Sequence, residues 1–268
     1  MPGSVTWVFG EPKDFQAALR EDGVLSLLVT AHGQFRARLT QVTLHNLRLS
    51  AGDELLPRIA FVVAPADTLL ISFPTGNRPP PTWGGLETKV GELITLGPGQ
   101  RVHARTEGPC RWGTIRLPSV DFSQYGRALK GAEFVVPNVT RWRPQRSALR
   151  RLRHFHQAAI RTVESRSAVF ADSETAHGLE QQVIHALVEC FAKGAAIEAP
   201  PTAHKYQDVV SRFEALLQTE LVRSLRIAEI CAALTVPART FRIACEEQLG
   251  MGPTEYVRRR RAQLLGRP

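Results

Sequence analysis

The strongest constraint on the fold lies near the C-terminus, in residues 227–256. The first part of this segment carries an apolar stripe at helical spacing, formed by Ile227, Ile230, Cys231 and Leu234. The stripe stops at residues 235–237, and Pro237 suits the first turn of a new helix, where its missing N–H is not needed. A second stripe follows, formed by Phe241, Ala244, Cys245 and Leu249. Gly250 predicts its end, so the segment predicts two helices joined by a tight turn.

The second predicted helix presents a basic outward face. The residues between its apolar positions are Ala238, Arg239, Arg242, Ile243 and Glu246. Two short helices joined by a tight turn, with a basic face on the second, have a shape that the DNA major groove admits. Helical hairpins that bind no nucleic acid share this spacing, so spacing alone leaves both interpretations open.

The same segment resembles the first helix-turn-helix of the AraC/XylS family of bacterial transcription regulators. Ile230-Cys231-Ala232 resembles the family's Leu-Ala-x motif, and Phe241 stands at its apolar anchor. The run LGMGPTEY at residues 249–256 resembles the family's Gly-x-Ser-Pro-x-x-Tyr junction, and Arg261 fits the arginine that follows. The resemblance implies a cytoplasmic, homodimeric protein that binds double-stranded DNA sequence-specifically and regulates transcription.

The segment departs from the family pattern at several positions. Thr235 replaces a usual glycine, which is costly if the turn needs a positive φ. Pro237 replaces a usual serine cap, and Cys245 replaces a usual phenylalanine. The family normally continues from a linker helix into a second helix-turn-helix. We therefore expect the DNA-binding domain to be incomplete, consisting of its first half and the linker helix.

The outward face and the resemblance together predict the DNA-contacting residues. Base-edge contacts are assigned to Ala238, Arg239, Arg242 and Ile243. Phosphate contacts are assigned to Thr240 and to the run at residues 258–261, with Arg258, Arg259 and Arg261 as the named candidates.

The N-terminal half carries short strand patterns separated by turn residues. A strand is predicted at residues 1–9 and a helix at 12–20. Further strands are predicted at residues 24–29, 35–44, 59–63, 68–73, 86–90, 92–96, 101–106 and 112–117. Ala51-Gly52-Asp53 is among the predicted turns. This pattern is typical of a barrel or sandwich, and a small closed barrel leaves an interior that can hold a ligand.

Residues 90–100, VGELITLGPGQ, resemble the strand-turn-strand of the cupin-like sensor barrels that precede the DNA-binding part of AraC-type regulators. The resemblance implies a small-molecule effector or a partner. We expect no metal, because residues 100–107 supply one His and one Glu, and Arg105 would repel a cation. No catalytic motif stands out, so we expect no enzyme activity and no cofactor.

Residues 119–193 are predicted to be mainly helical. Arg141, Arg143, Arg146, Arg150, Arg151 and Arg153 form an acid-free basic cluster, either a solvated helix face or a phosphate-contacting surface. Ser147 is expected to cap one helix, and Asp172 or Ser173 the next. The second helix is apolar over a broad face, which suits either subunit pairing or packing on the barrel.

These observations predict an α+β chain of two domains. A cupin-like sensor barrel is expected at residues 1–118, a helical region with a dimerisation role at 119–193, a linker at 194–203, and an incomplete all-α helix-turn-helix domain at 204–268. The formal net charge of +9 suits a polyanionic partner. Four cysteines without ligand spacing predict buried free thiols, and no signal or membrane segment is evident. We expect a soluble, cytoplasmic protein.

The predicted function is that of a DNA-binding transcription regulator whose barrel senses a small molecule or a partner. Two alternatives stay open. In the first, the chain is a truncated regulator that does not bind DNA alone and acts by dimerising with intact relatives. In the second, it is a cupin-type enzyme.

Overall fold

The computed structural model describes residues 2–76, 78–134, 136, 141–165, 170, 172–220 and 226–264. The strands are β1 (Gly3–Phe9), β2 (Val24–Val29), β3 (Ala37–Thr43), β4 (Arg48–Glu54), β5 (Arg58–Val63), β6 (Thr68–Pro74), β7 (Thr82–Trp83), β8 (Leu86–Glu87), β9 (Leu93–Leu96), β10 (Arg101–Arg105), β11 (Cys110–Pro118), β12 (Arg141–Pro144) and β13 (Gly194–Ala196). The helices are α1 (Pro12–Leu19), α2 (Ser119–Lys130), α3 (Arg146–Ser165), α4 (Ser173–Ala192), α5 (Pro201–Glu220), α6 (Ile227–Leu234), α7 (Ala238–Leu249) and α8 (Pro253–Leu264).

The strands form two antiparallel sheets. The first has the order β1-β3-β4-β11-β6-β9-β12-β13, and the second has the order β2-β5-β10-β7-β8. Helices α5 to α8 follow the last strand, so a sheet-rich N-terminal region precedes a helical C-terminal one. The predicted α+β class is confirmed.

Three apolar cores show how these layers are stacked. One core joins α2, α3 and α4 to one face of the first sheet, which contributes Leu69, Ile71 and Phe73. A second core lies between the two sheets, where Leu70 of the first sheet packs against residues of the second sheet. The third joins α5 to α8 to the opposite face of the second sheet, which contributes Leu28 and Ile59. Strand alternation produces this order, because successive side chains point to opposite faces of a sheet. We call the two sheets with their shared core the barrel.

Most predicted strands are present, but the turn predicted at residues 51–53 is wrong. Those residues lie inside β4, where Gly52 pairs with Trp112 of β11. A Cβ atom on Gly52 would lie 2.2 Å from the indole Cε2 of Trp112. Glycine is therefore needed for the close approach of an aromatic ring and does not mark a chain reversal. The strand predicted at residues 86–90 is also too long, since β8 ends at Glu87.

The broad apolar face of α4 is buried within one chain. Val183, Ile184, Leu187 and Val188 are each at most 2% exposed, in the core that α4 shares with α2, α3 and the first sheet. Of the two interpretations of this face, packing on the barrel explains its width. The homodimer loses that support and stays a prediction.

The cluster of arginines at residues 141–153 is divided between two elements. Arg141 and Arg143 lie on β12 and bind the Glu92 carboxylate at 2.8 and 3.0 Å, so they belong neither to a helix face nor to an acid-free surface. The remaining members lie on α3, which begins at Arg146. Ser147 therefore stands inside the first turn of α3. The prediction for α4 is confirmed, because Asp172 accepts a hydrogen bond from the Thr175 amide at 2.8 Å.

The segment expected to link the two domains is partly ordered. Residues 194–196 form β13, which pairs with β12, and α5 already begins at Pro201. The irregular connection is thus only residues 197–200.

The four cysteines are buried and unpaired, as predicted. Burial raises the pKa of Cys110 to about 11 and that of Cys190 to about 12, so neither thiol ionises near neutral pH. Among the described residues, no helix has the length and apolarity to cross a bilayer.

Candidate nucleic-acid interface

Helices α6 and α7 form the predicted helix-turn-helix. The turn begins at Thr235, whose backbone has φ 54° and ψ 45°, in the left-handed region. Its amide donates to the Ala232 carbonyl, and the Val236 amide donates to the Cys231 carbonyl at 3.1 Å. These bonds satisfy carbonyls that the end of α6 would otherwise leave free. Pro237 precedes the first residue of α7 and accepts a hydrogen bond from the Phe241 amide at 3.0 Å.

Thr235 is the only non-glycine residue with a positive φ in the described part of the chain. A β-branched side chain in this region is strained, as the sequence predicted for a threonine at the family's glycine position. Gly250, at φ 71°, ends α7 in the left-handed conformation without that cost.

A buried core holds α6 and α7 against α5 and α8. The rings of Phe213 on α5 and Phe241 on α7 lie 4.9 Å apart, edge to face. Cys245, Leu249 and Tyr256 complete the contact and are at most 1% exposed. Arg212 of α5 donates to the Leu234 carbonyl at 3.0 Å, which places a cation at the negative end of α6.

The predicted base-reading residues lie on the side of α7 opposite this core. Ala238, Arg239 and Arg242 are exposed, and Thr240 and Ile243 are half-buried. Glu246 and Glu247 follow on the exposed surface, so the N-terminal half of α7 is basic and the C-terminal half acidic. In helix-turn-helix proteins the N-terminal residues of the second helix contact base edges, so the charge distribution suits that orientation.

The arginines of α8 differ in exposure and in their partners, whereas the phosphate assignment requires all of them to be accessible. Glu255 binds Arg258 at 2.9 Å and Arg259 at 2.5 Å, and these hydrogen bonds lower its pKa to about 2. Arg259 also donates to the Thr30 carbonyl on the barrel at 2.6 Å. Arg260 is only 5% exposed, so the phosphate interpretation of the whole run is wrong for this residue. Arg261 is half-buried.

Helices α5, α7 and α8 rest on the second sheet of the barrel. Gln207 of α5 donates to the Arg101 carbonyl at 2.6 Å, and Gln248 of α7 donates to the Gly84 carbonyl at 3.0 Å. On α8, Gln263 donates to the Leu27 carbonyl. The barrel thus sets the orientation of the exposed face of α7.

At the centre of this contact lies a buried polar cluster that the sequence did not reveal. His103 of β10 stacks on Phe61 with ring centroids 4.8 Å apart, and its Nε2 lies 3.5 Å from Oε1 of Glu214. The Tyr256 hydroxyl donates to Glu214, and Arg260 lies 3.6 Å from its other oxygen. Burial opposes ionisation of Glu214, but His103 and Arg260 outweigh it and hold the pKa of Glu214 below its ordinary value.

A weak signal for this cluster does exist in the sequence. Glu214 follows Val210 by four residues and precedes Leu217 by three, so a carboxylate stands on the apolar stripe of α5. His103 alternates with Val102 and Ala104 on a strand, which places it on the face opposite theirs. Neither position indicates that the two residues meet, because they are far apart along the chain.

The interior of the barrel is filled by its own side chains. Glu54, Arg58 and Trp112 form a buried network, and the described residues around Asp22 and Trp83 leave a cavity of about 40 Å³. That volume suits about one water molecule and is far below the range of ligand pockets. This small space does not favour a ligand in the interior, and the expectation stays a prediction. The described His, Cys, Asp and Glu residues form no group that could hold a metal ion.

A larger space lies outside the barrel, between α3 and the strands β3 and β4. This groove has a volume of about 320 Å³. Its charged or titratable lining residues are Arg38, Asp53, Arg111, His156, Arg161 and Glu164. Burial lowers the pKa of His156 to about 4, so its imidazole is neutral at physiological pH.

Comparison with known proteins places the fold. No protein-family model and no curated protein matches the sequence. Among solved structures, the AraC-like transcriptional activator CuxR is similar at 14% identity and a TM-score of 0.50, over 99% of this chain and 95% of that chain. ToxT from Vibrio cholerae is similar at 12% identity and a TM-score of 0.30, over 80% of each chain. Wild-type ToxT with a bound unsaturated fatty acid has a TM-score of 0.30 at 10% identity, over 80% of this chain and 78% of that one. Only the similarity to CuxR is high enough to support an assignment, and it shows a shared fold.

Proposed function

We propose that this chain is a sequence-specific DNA-binding transcription regulator in which the barrel senses a small molecule or a partner and biases the C-terminal helices. The observation that carries the proposal is the exposed basic half of α7, held over a buried core by the left-handed turn at Thr235. The fold shared with an AraC-like transcriptional activator supports the same class of function.

Base reading is assigned to Ala238, Arg239, Arg242 and Ile243, and phosphate contacts to Thr240, Arg258 and Arg261. Arg239 and Arg242 have no ion-pair partner among the described residues, so their guanidinium groups are free to bind base edges or phosphates. Arg259 can contact phosphate through the same group only when its hydrogen bond to the Thr30 carbonyl is broken.

The test is to select a binding site from a random duplex library and measure affinity by fluorescence anisotropy at fixed salt. Arg242→Ala should weaken specific binding by about 1–3 kcal/mol and relax discrimination at one base pair. Arg150→Ala is the matched control, because Arg150 is equally exposed but lies on α3, across both sheets from α7. Equal affinity and an unchanged footprint for Arg242→Ala would contradict the assignment. Failure to select any duplex would contradict the function.

For the sensing role, we place the effector site outside the barrel interior. The filled interior and the charged groove of about 320 Å³ beside α3 support that choice. A polar, charged effector is then expected. Homodimer formation is part of the same proposal, and sedimentation equilibrium with and without DNA measures it.

A further inference from the structure

The two sheets end in the edge strands β1, β13, β2 and β8, and the described residues show how three of these edges are blunted. An open edge exposes a row of backbone N–H and C=O groups, which pair readily with a further strand. The edge strands β8 and β13 are only two and three residues long. They therefore offer little backbone to another strand.

The edge strand β2 is longer, and side chains occupy its outward backbone groups. Gln16 of α1 accepts a hydrogen bond from the Leu27 amide and donates one to the Leu25 carbonyl, both at 3.1 Å. Gln263 of α8 donates to the Leu27 carbonyl. The side-chain amide of Gln16 thus takes the place of a neighbouring strand, and a register shift at the start of β2 distorts the same edge.

The fourth edge strand, β1, has none of these features. All seven of its residues pair with β3 in one unbroken register, and β3 is its only neighbouring strand in the described part of the chain. The strand contains no proline and no charged side chain. Its outward side is accessible, because Thr6, Trp7 and Val8 are exposed. Native proteins normally protect a long, regular, uncharged edge of this kind, so we expect another strand to cover it.

We infer that β1 pairs with β1 of a second copy of this chain, antiparallel across a two-fold axis, so that the first sheets of the two copies join into one. The inference rests on the homodimer of the proposed function and names its surface. Because β1 is the one long open edge among the described strands, the pairing leaves neither copy with an edge to extend, and association stops at two.

Charge favours a second copy at this edge. Each chain has a formal net charge of +9, so two copies repel each other in general. Residues 2–10, which include β1, carry no charged side chain. Two copies can therefore meet at β1 without bringing like charges together.

The sequence of β1 is also self-complementary. With the two-fold axis at Thr6, Val5 of one copy lies opposite Trp7 of the other, once on each side of the axis. Aromatic and β-branched side chains form favourable cross-strand pairs. Val5 and Trp7 alternate onto the same face of β1 as Phe9, which packs against the core between the sheets. The paired side chains thus extend that apolar layer from one copy to the other.

Opposite charges at Trp7 test this geometry by sedimentation equilibrium of the full chain without DNA. Across the axis the two copies of Trp7 are diagonal neighbours, within reach of long side chains. Trp7→Lys and Trp7→Glu each bring like charges together, so the Kd of the dimer should rise at least tenfold in either variant. An equal mixture of the two variants brings opposite charges together and should return the Kd to within threefold of the wild-type value. A damaged fold cannot produce this recovery.

Leu129→Lys is the matched control, because Leu129 is a similarly exposed apolar residue but lies on α2. Its Kd should equal that of the wild-type chain. Hydrogen exchange then locates the contact: outward amides of β1 should gain protection as the protein concentration rises, whereas those of β2 should not change.

A monomeric wild-type chain would overturn both the inference and the homodimer. A dimer that neither Trp7 variant weakens would overturn the inference alone, as would protection of β1 that requires a different protein. Failure to select a DNA duplex would leave all these results unchanged, so it is distinguishable from failure at β1.

Discussion

Two buried glutamate–arginine pairs are hydrogen-bonded differently in the two regions of this molecule. In the barrel, Glu54 and Arg58 are joined by hydrogen bonds at 3.0, 3.1 and 3.4 Å, and Arg58 also donates to the Ala104 carbonyl at 3.1 Å. The Trp112 indole donates to the same carboxylate. Burial opposes the charge of Arg58, but Glu54 outweighs it and raises the pKa of the guanidinium.

Between the barrel and the helices, Glu214 and Arg260 are equally buried but approach only to 3.6 Å. One carboxylate oxygen of Glu214 and Nε of Arg260 have no hydrogen-bond partner among the described protein atoms. The comparison shows that two buried ion pairs can differ in how directly their charges are hydrogen-bonded. The barrel pair is held by direct hydrogen bonds, whereas Glu214 is shared among His103, Tyr256 and Arg260.

The largest effect is expected from Glu54→Ala. This change leaves Arg58 as a buried charge without its carboxylate partner. It should lower the free energy of unfolding by about 3–5 kcal/mol. Urea denaturation followed by the fluorescence of the tryptophans measures the loss. A loss below about 1 kcal/mol, typical of an exposed pair, would remove the distinction between the two regions.

Glu214→Ala should destabilise the chain less, by about 1–3 kcal/mol, because its contact with Arg260, at 3.6 Å, is longer than the hydrogen bonds between Glu54 and Arg58. The same urea experiment compares it directly with Glu54→Ala. Equal losses for the two variants would show that the longer pair contributes as much stability as the barrel pair.

Thr235→Gly extends the comparison to the backbone. The positive φ of Thr235 costs roughly 1–2 kcal/mol, part of which glycine recovers, so we expect a gain of about 0.5–1 kcal/mol. Gly91→Ala is the matched barrel change: its φ is +99° and its Cβ would meet nothing within 4 Å, so it should lose a similar amount. Thermal unfolding of both variants measures the two signs. A destabilised Thr235→Gly would show that the threonine side chain contributes more than the strain costs.

The smallest effect is expected from pH. The lowered pKa of Glu214 contributes stability that is present above its ordinary pKa of 4.5 and is lost as pH falls below that value. Asp22 in the barrel has the opposite sign, because burial raises its pKa and the folded state gains stability as it takes up a proton. The difference in unfolding free energy between the wild-type chain and Glu214→Ala should therefore shrink as pH falls from about 5 to about 3, as measured by urea denaturation. A difference that does not change with pH would weaken the role of Glu214.

Local sequence pattern was a sound guide to individual elements. The stripes through Cys231 and Phe241 and the glycine at position 250 predicted α6, α7 and the end of α7, and a short apolar run predicted β2 with the bounds it has. Gly52 shows where local reasoning failed. It lies within a strand, and glycine is needed there because the Trp112 ring of a neighbouring strand packs closely against it. The prediction of an acid-free cluster failed for the arginines of β12 for a similar reason, since their partner Glu92 lies in a distant segment of the sequence.

The sequence by itself determined the α+β class, the helical pair and the outward basic face of α7, because periodic burial is written into neighbouring residues. Only the tertiary structure decided the direction in which that face points. It did so by packing α5 to α8 on the second sheet and by bringing His103 into contact with Glu214. The physical reason is range. A stripe records that a residue is covered, but it carries no information about which distant surface covers it or whether that surface satisfies its hydrogen bonds.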